Sequence, residues 1–183
     1  YKHRPNLEVF TQGQFLAWVE YVKHGEVNTL PQINYVTPYA SDGNLGKAYR
    51  QAVSSYDNEE WVAICDGDMC FLDARWGKWI AETIAANKDY DIFCPMTNRL
   101  RDTQKVITNM YNVPDVRLHR NISAKLWKKK GTSMKKAERP PAGLLMIAKA
   151  KVFRDVKFRN GLLLLDTDFM KRAEAKGYKI GIM

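Results

Sequence analysis

Apolar side chains at Phe15, Leu16, Trp18, Val19 and Val22 recur at helical spacing after Thr11 and stop before Gly25, so residues 11–24 read as an amphipathic helix in an N-terminal extension over residues 1–30. Residues 33–37 form a β-rich run closed by Pro38. The turn-forming Ser41, Asp42 and Gly43 then lead into a second helix over about 44–56, which Asn44 or Asp42 would cap. Residues 61–65 are continuously apolar, as in a strand covered on both faces, and the run stops abruptly at Asp66, Gly67 and Asp68. Trp76, Trp79, Ile80, Thr83 and Ile84 make the stripe of a helix over about 75–88, and Ile92, Phe93 and Cys94 read as another buried strand.

Beyond residue 98 the periodicity weakens through a helical patch near 103–111 and a stretch read as a mobile basic loop at about 112–139. It resumes as a strand at residues 143–148, a helix from Asp166 to Lys176 stopped by Gly177, and a last strand over 178–183. No internal repeat is found. The β-α-β-α-β order predicts an α/β fold with a mostly parallel sheet, helices on both faces, and a ligand crevice beyond the strands' carboxyl ends. At 183 residues the chain fits one domain, here residues 31–183 after the extension.

Composition adds limits to this picture. An apolar share of 45% with 27% charged residues is ordinary for a globular domain. No apolar run approaches the roughly 18 residues of a membrane span. The three cysteines, Cys65, Cys70 and Cys94, have no metal-type spacing and read as reduced thiols, so with no signal-like start the expectation is a cytoplasmic protein. The net charge of +9 is concentrated in residues 125–139, where Lys128, Lys129, Lys130, Lys135 and Lys136 surround Gly131 and Ser133. A solvated loop is the first reading of that run, a lid over an anionic ligand the second, and a nucleic-acid patch the third.

Three Asp-x-Asp spacings occur, and their context separates them. Asp89 and Asp91 precede a strand, where a polar turn belongs. Asp66 and Asp68 follow an apolar strand, with Gly67 between them to let the backbone turn and approach a ligand. Two hard oxygen ligands suit Mg²⁺ or Mn²⁺, which take their remaining ligands from water and substrate phosphates. Such an ion stabilises charge on a departing diphosphate; the plain alternative is a solvated turn.

Residues 33–72, INYVTPYASDGNLGKAYRQAVSSYDNEEWVAICDGDMCFL, resemble the nucleotide-binding half of family 2 glycosyltransferases of the GT-A fold, in a short form. Ala142 to Ile147 with Val152 and Phe153 resemble the acceptor-side strand, and LLLLDTDFMKRAEAKGYKIGIM is similar to the late helix and closing strand. The resemblance covers nearly all of residues 33–183. It implies a hexosyltransferase-type enzyme moving a sugar from a nucleotide-diphosphate sugar, a UDP-sugar favoured, to a saccharide or other hydroxyl acceptor, with inversion. It implies Pro38, Tyr39 and Ala40 beside the base and ribose, Asn44, Gly46 and Lys47 near the donor, and Asp66 near ribose and metal. Asp68 would be the principal metal ligand and Asp166 the general base.

Departures from the family pattern are specific. Leu165 stands where an acidic partner of Asp166 is common, which leaves Asp168 as the substitute base; either aspartate could equally be a helix cap. The uracil-gripping second strand is missing, and so is the histidine that completes the metal site in similar short members. His119 could substitute, against the plain reading of a surface-loop histidine; His3 and His24 have no assigned role. Asn98 and Arg99 lie at the crevice edge as sugar contacts or a loop cap, and Trp127 could stack on carbohydrate. Two alternatives stay open: a nucleotidyltransferase, for which residues 37–43 supply no glycine-rich phosphate loop, and a basic nucleic-acid-binding domain.

Overall fold

The computed structural model describes residues 30–97, 104 and 113–183. The expected extension helix at 11–24, the helical patch at 103–111 apart from Gln104, and Asn98 and Arg99 lie outside the described residues.

In chain order the elements are β1 (Ile33–Val36), α1 (Leu45–Ser54), β2 (Trp61–Cys65), α2 (Trp76–Ala86), β3 (Ile92–Cys94), α3 (Val116–Lys130), β4 (Lys135–Lys136), β5 (Leu145–Lys149), α4 (Ala150–Val156), α5 (Leu165–Ala175) and β6 (Ile180–Ile182). They build an α/β domain on one six-stranded sheet in the order β1-β2-β5-β3-β6-β4.

The sheet is mixed. β1 and β2 pair in parallel, as do β3 and β6, but β5 lies between β2 and β3 and is antiparallel to both, while β4 is antiparallel to β6. Four strands therefore share a direction and two oppose it. Residues 145–148 are buried on both sides whichever way the strand runs, so the apolar pattern carried no sign of its reversal.

Helices cover both faces. α1, α4 and α5 pack on Val62, Ile64, Ile92, Cys94, Met146, Ala148, Ile180 and Ile182. α2 covers the other face over Ala63, Cys65, Phe93, Leu145 and Ile147. The alternation of strand residues between these two clusters is the period-2 geometry of a strand. Among the described residues no helix is long and apolar enough to cross a membrane.

The stretch read as a loop at 112–139 is mostly helix, which corrects the sequence reading. Asp115 caps α3 by accepting the Arg117 amide N–H at 2.9 Å, and Gly131, at φ 54°, ends the helix. Lys128, Lys129 and Lys130 occupy its last turn, where the negative end of the helix dipole favours cations. Lysine density suggested a solvated loop, while Val116, His119, Ile122, Ser123 and Leu126 held the helical spacing. α4, a seven-residue helix that starts directly where β5 ends, was also missed, being too short to show a period.

Candidate active site

Asp66 and Asp68 sit where β2 ends, at the edge expected to bind ligands in such sheets. The Asp66 amide donates to the Leu144 carbonyl at 2.8 Å, which prolongs the β2–β5 ladder by one residue and fixes the carboxylate's origin. Its side chain is half-buried, and Asp68 is exposed. The Tyr49 hydroxyl, from a buried position on α1, reaches the Asp66 Oδ1 at 3.4 Å.

Burial raises the Asp66 carboxyl above its ordinary value; the neighbouring Asp68 charge adds to this, the Tyr49 bond opposes it, and the Asp166 charge raises it further. The Tyr49 phenol is pushed up to about 12, by burial first and then by the Asp66 charge.

Asp166 comes from the first turn of α5 and is tied to the same rim. Its Oδ2 accepts the Gly143 amide at 2.8 Å, and its Oδ1 accepts the Thr167 amide at 2.8 Å and the Thr167 hydroxyl at 3.4 Å. Gly143 is required for this approach, because a Cβ there would stand 2.5 Å from the Asp166 Cβ. Gln104, fully buried, positions the preceding residue: its Oε1 accepts the Ala142 amide at 2.6 Å while its Nε2 donates to the Pro95 carbonyl at 3.2 Å.

Asp66, Asp68 and Asp166 thus gather around residues 143–144, and among the described residues no lysine or arginine forms an ion pair with any of them. Sequence reasoning named the three aspartates but missed Tyr49, Gly143 and Gln104. Of these only Gly143 left a signal, as a glycine at the start of an apolar strand.

The remaining candidates fall into different places. Pro38 and Ala40 are half-buried and Tyr39 is 86% exposed, on the segment leaving β1. The Thr37 methyl is 3.6 Å from where a Cβ on Gly67 would lie, so this exit runs beside the Asp66–Asp68 turn. Asn44 is the N-cap of α1, accepting the Lys47 amide at 3.1 Å. Lys47 itself pairs with Asp42 at 3.4 Å. Gly46 lets α1 pack on the chain near residue 159, since a Cβ there would be 2.0 Å from the Arg159 carbonyl oxygen. Among the described residues no hydrogen bond or ion pair joins Asn44, Gly46 or Lys47 to Asp66, Asp68 or Asp166.

Asp168, the substitute base of the sequence reading, is engaged by two arginines. Arg172 donates to its Oδ2 through Nε at 2.8 Å and Nη2 at 2.6 Å, and Arg159 lies 3.4 Å from its Oδ1. His119 is not on a surface loop but buried within α3, with its Nε2 bonded to the Val113 carbonyl at 2.8 Å. Trp127 is stacked on Trp79, 4.5 Å between ring centroids. Among the described residues no group of three or more His, Cys, Asp or Glu side chains is arranged to hold a metal ion. Any bound cation would take two carboxylates from Asp66 and Asp68 and further oxygens from elsewhere. Cys65 and Cys94 are buried free thiols raised chiefly by burial, Cys65 to about 11, and Cys70 is exposed.

A cavity of about 800 Å³ opens from Asp66 and Asp68 between α2 and α3. No family model, curated protein or solved structure matches the chain.

Proposed function

We propose that the chain is a metal-dependent glycosyltransferase of the GT-A class, moving a sugar from a nucleotide-diphosphate sugar to a saccharide or other hydroxyl acceptor with inversion. The observation that carries this reading is the meeting of Asp66, Asp68 and Asp166 at one sheet edge without a cationic partner among the described residues. Like charges kept together, one of them partly desolvated, raise the free energy of the ligand-free site, and a divalent cation relieves that cost. The donor set fits: exposed and half-buried carboxylates are the hard ligands that Mg²⁺ or Mn²⁺ takes alongside substrate phosphates. Asp66 and Asp68 would hold the ion, which when bound supplies neutralisation of diphosphate charge.

The chain's own groups divide the work. Asp166, oriented by three donors, keeps about one of a carboxylate's roughly four acceptor sites for an acceptor hydroxyl. As that oxygen bonds the anomeric carbon its proton passes to Asp166. The bond from the anomeric carbon to the diphosphate oxygen breaks, and its electron pair leaves with the nucleoside diphosphate. Tyr49 and the Leu144 carbonyl hold Asp66 in place throughout. Pro38, Tyr39 and Ala40, on the β1 exit beside the Asp66 turn, are the proposed border of the nucleotide.

Titration calorimetry with uridine diphosphate tests the site. Binding is expected to require Mn²⁺ or Mg²⁺, and Asp68→Ala to weaken it by more than the roughly 10–100-fold that even outer-shell changes cost. Asp166→Asn is expected to leave that binding intact and to slow transfer by about 10²–10⁴-fold. Cation-independent binding, unchanged in Asp68→Ala, would rule the site out.

A second reading rests on α3, which bears Arg117, Arg120, Lys125, Lys128, Lys129 and Lys130 and no acidic residue. As a nucleic-acid surface it predicts affinity falling steeply with salt, and it gives the three aspartates no role.

A further inference from the structure

The cavity between α2 and α3 shares Asp66 and Asp68 with the proposed site, yet its walls are of a different chemistry. They are formed chiefly by Phe71, Trp76, Ile80, Ile122, Leu126 and Trp127. The volume of about 800 Å³ suits a small organic molecule, for which the usual range is about 300–1,000 Å³.

Several polar side chains along the wall are committed inside the protein. The Thr83 hydroxyl donates to the Trp79 carbonyl at 2.8 Å, and the Ser133 hydroxyl to the Lys130 carbonyl at 2.6 Å. His119 is bonded to the Val113 carbonyl, and Asp73 is held by Arg75 through Nε at 3.0 Å and Nη2 at 3.1 Å. A sugar buried here would lose water from hydroxyls on every side and find fewer partners than hydroxyls among the described side chains, at a cost for each group left unsatisfied. An apolar body loses nothing by this and gains by burial.

Among the described residues the open polar groups of the lining are Ser123 and Lys130 on α3 and, at the rim, Asp66 and Asp68, where Leu144 joins the cavity to Gly143, the residue that holds Asp166. A molecule with its apolar part inside would present a hydroxyl at that rim.

We infer that this cavity is the acceptor subsite and takes an alcohol carried on an apolar, aromatic-sized body in preference to a sugar. The acceptor role rests on the glycosyltransferase reading, whereas the selectivity of the cavity follows from its walls alone.

The probes are 2-naphthol and methyl glucoside, each titrated into the full chain by calorimetry and by saturation-transfer NMR. Saturable binding of 2-naphthol is expected, with none of methyl glucoside at the same concentrations. Leu126→Glu, which puts a carboxylate against apolar side chains, and Ile122→Trp, which fills space, should each weaken 2-naphthol at least about tenfold. Two substitutions of opposite character guard against a fold defect in either one, checked by circular dichroism. Asp68→Ala should abolish cation-dependent uridine diphosphate binding, a readout separate from that of the two wall variants. Absence of 2-naphthol binding, equal affinity for methyl glucoside, or indifference to both wall variants would overturn the inference. Cation-independent nucleotide binding with intact, wall-dependent 2-naphthol binding would count against the glycosyltransferase reading and uphold the selectivity of the cavity.

Discussion

On the face of the sheet that carries α1, α4 and α5, Phe153, Phe158 and Phe169 stack on one another, with centroids 5.8, 5.6 and 4.3 Å apart, and all three are at most 2% exposed. On the face that carries α2 and α3, aromatic pairs also form, Phe71 on Trp76 at 3.7 Å and Trp79 on Trp127 at 4.5 Å, but they wall a cavity. Side chains of one kind thus pack closely in one layer, beside a pocket of about 250 Å³ lined in part by Phe153 and Phe158, and wall a wider cavity of about 800 Å³ in the other. The more closely packed face is the one from which Tyr49 and Asp166 reach the rim, so the groups that need a fixed position come from that side and the wider space lies on the other.

That contrast can be broken most sharply by truncation. Phe169→Ala is expected to lower stability by about 3–5 kcal/mol in chemical denaturation. Ile122→Ala, on the cavity wall, should cost less than about 1 kcal/mol, because contacts on its open side are already absent. Comparable losses would show that the hollow face is filled in solution. Next in size is Gly143→Ala: the added methyl must displace Asp166 or the β5 entry, at about 1–3 kcal/mol, with a fall in transfer rate while uridine diphosphate affinity holds.

The smallest effect has the opposite sign. Since burial and Asp68 raise the Asp66 carboxyl in the folded state, the cost of ionising it is absent below the unfolded carboxyl value, grows as pH rises through the carboxylate range, and is fully present above the folded value. Asp66→Asn should therefore raise the melting temperature of the cation-free protein at pH 7, by an amount that shrinks towards zero on acidification. A constant difference across pH would place the cause in packing instead of charge.

Much of this arrangement was legible in residue order. The run from Trp61 to Cys65 reads as a covered strand, and its sudden end at Asp66 puts two carboxylates at a sheet edge. Asn44 and Gly177 marked helix ends as their side-chain chemistry dictates. Other features were not legible, each for a physical reason. Strand direction leaves no trace in an apolar run, so the reversal of β5 was invisible. The contact of Asp166 with Gly143 joins positions far apart in the chain and arises only from tertiary packing. In α3 composition was weighed above spacing: six cations suggested solvent, while the apolar side chains between them kept a helical beat.

The backward course of β5 has a consequence for assembly of the rim. A strand that runs against its neighbours brings its beginning to the border where β2 brings its end, so the rim is stitched from two stretches far apart in the polypeptide, around Asp66 and around residues 143–166. A truncated chain stopping after residue 97 would keep Asp66, Asp68 and Tyr49 but lack both the carbonyl that anchors Asp66 and the whole of Asp166's mooring. The rim is thus complete only when the late strand lies between β2 and β3, which precede it in the sequence.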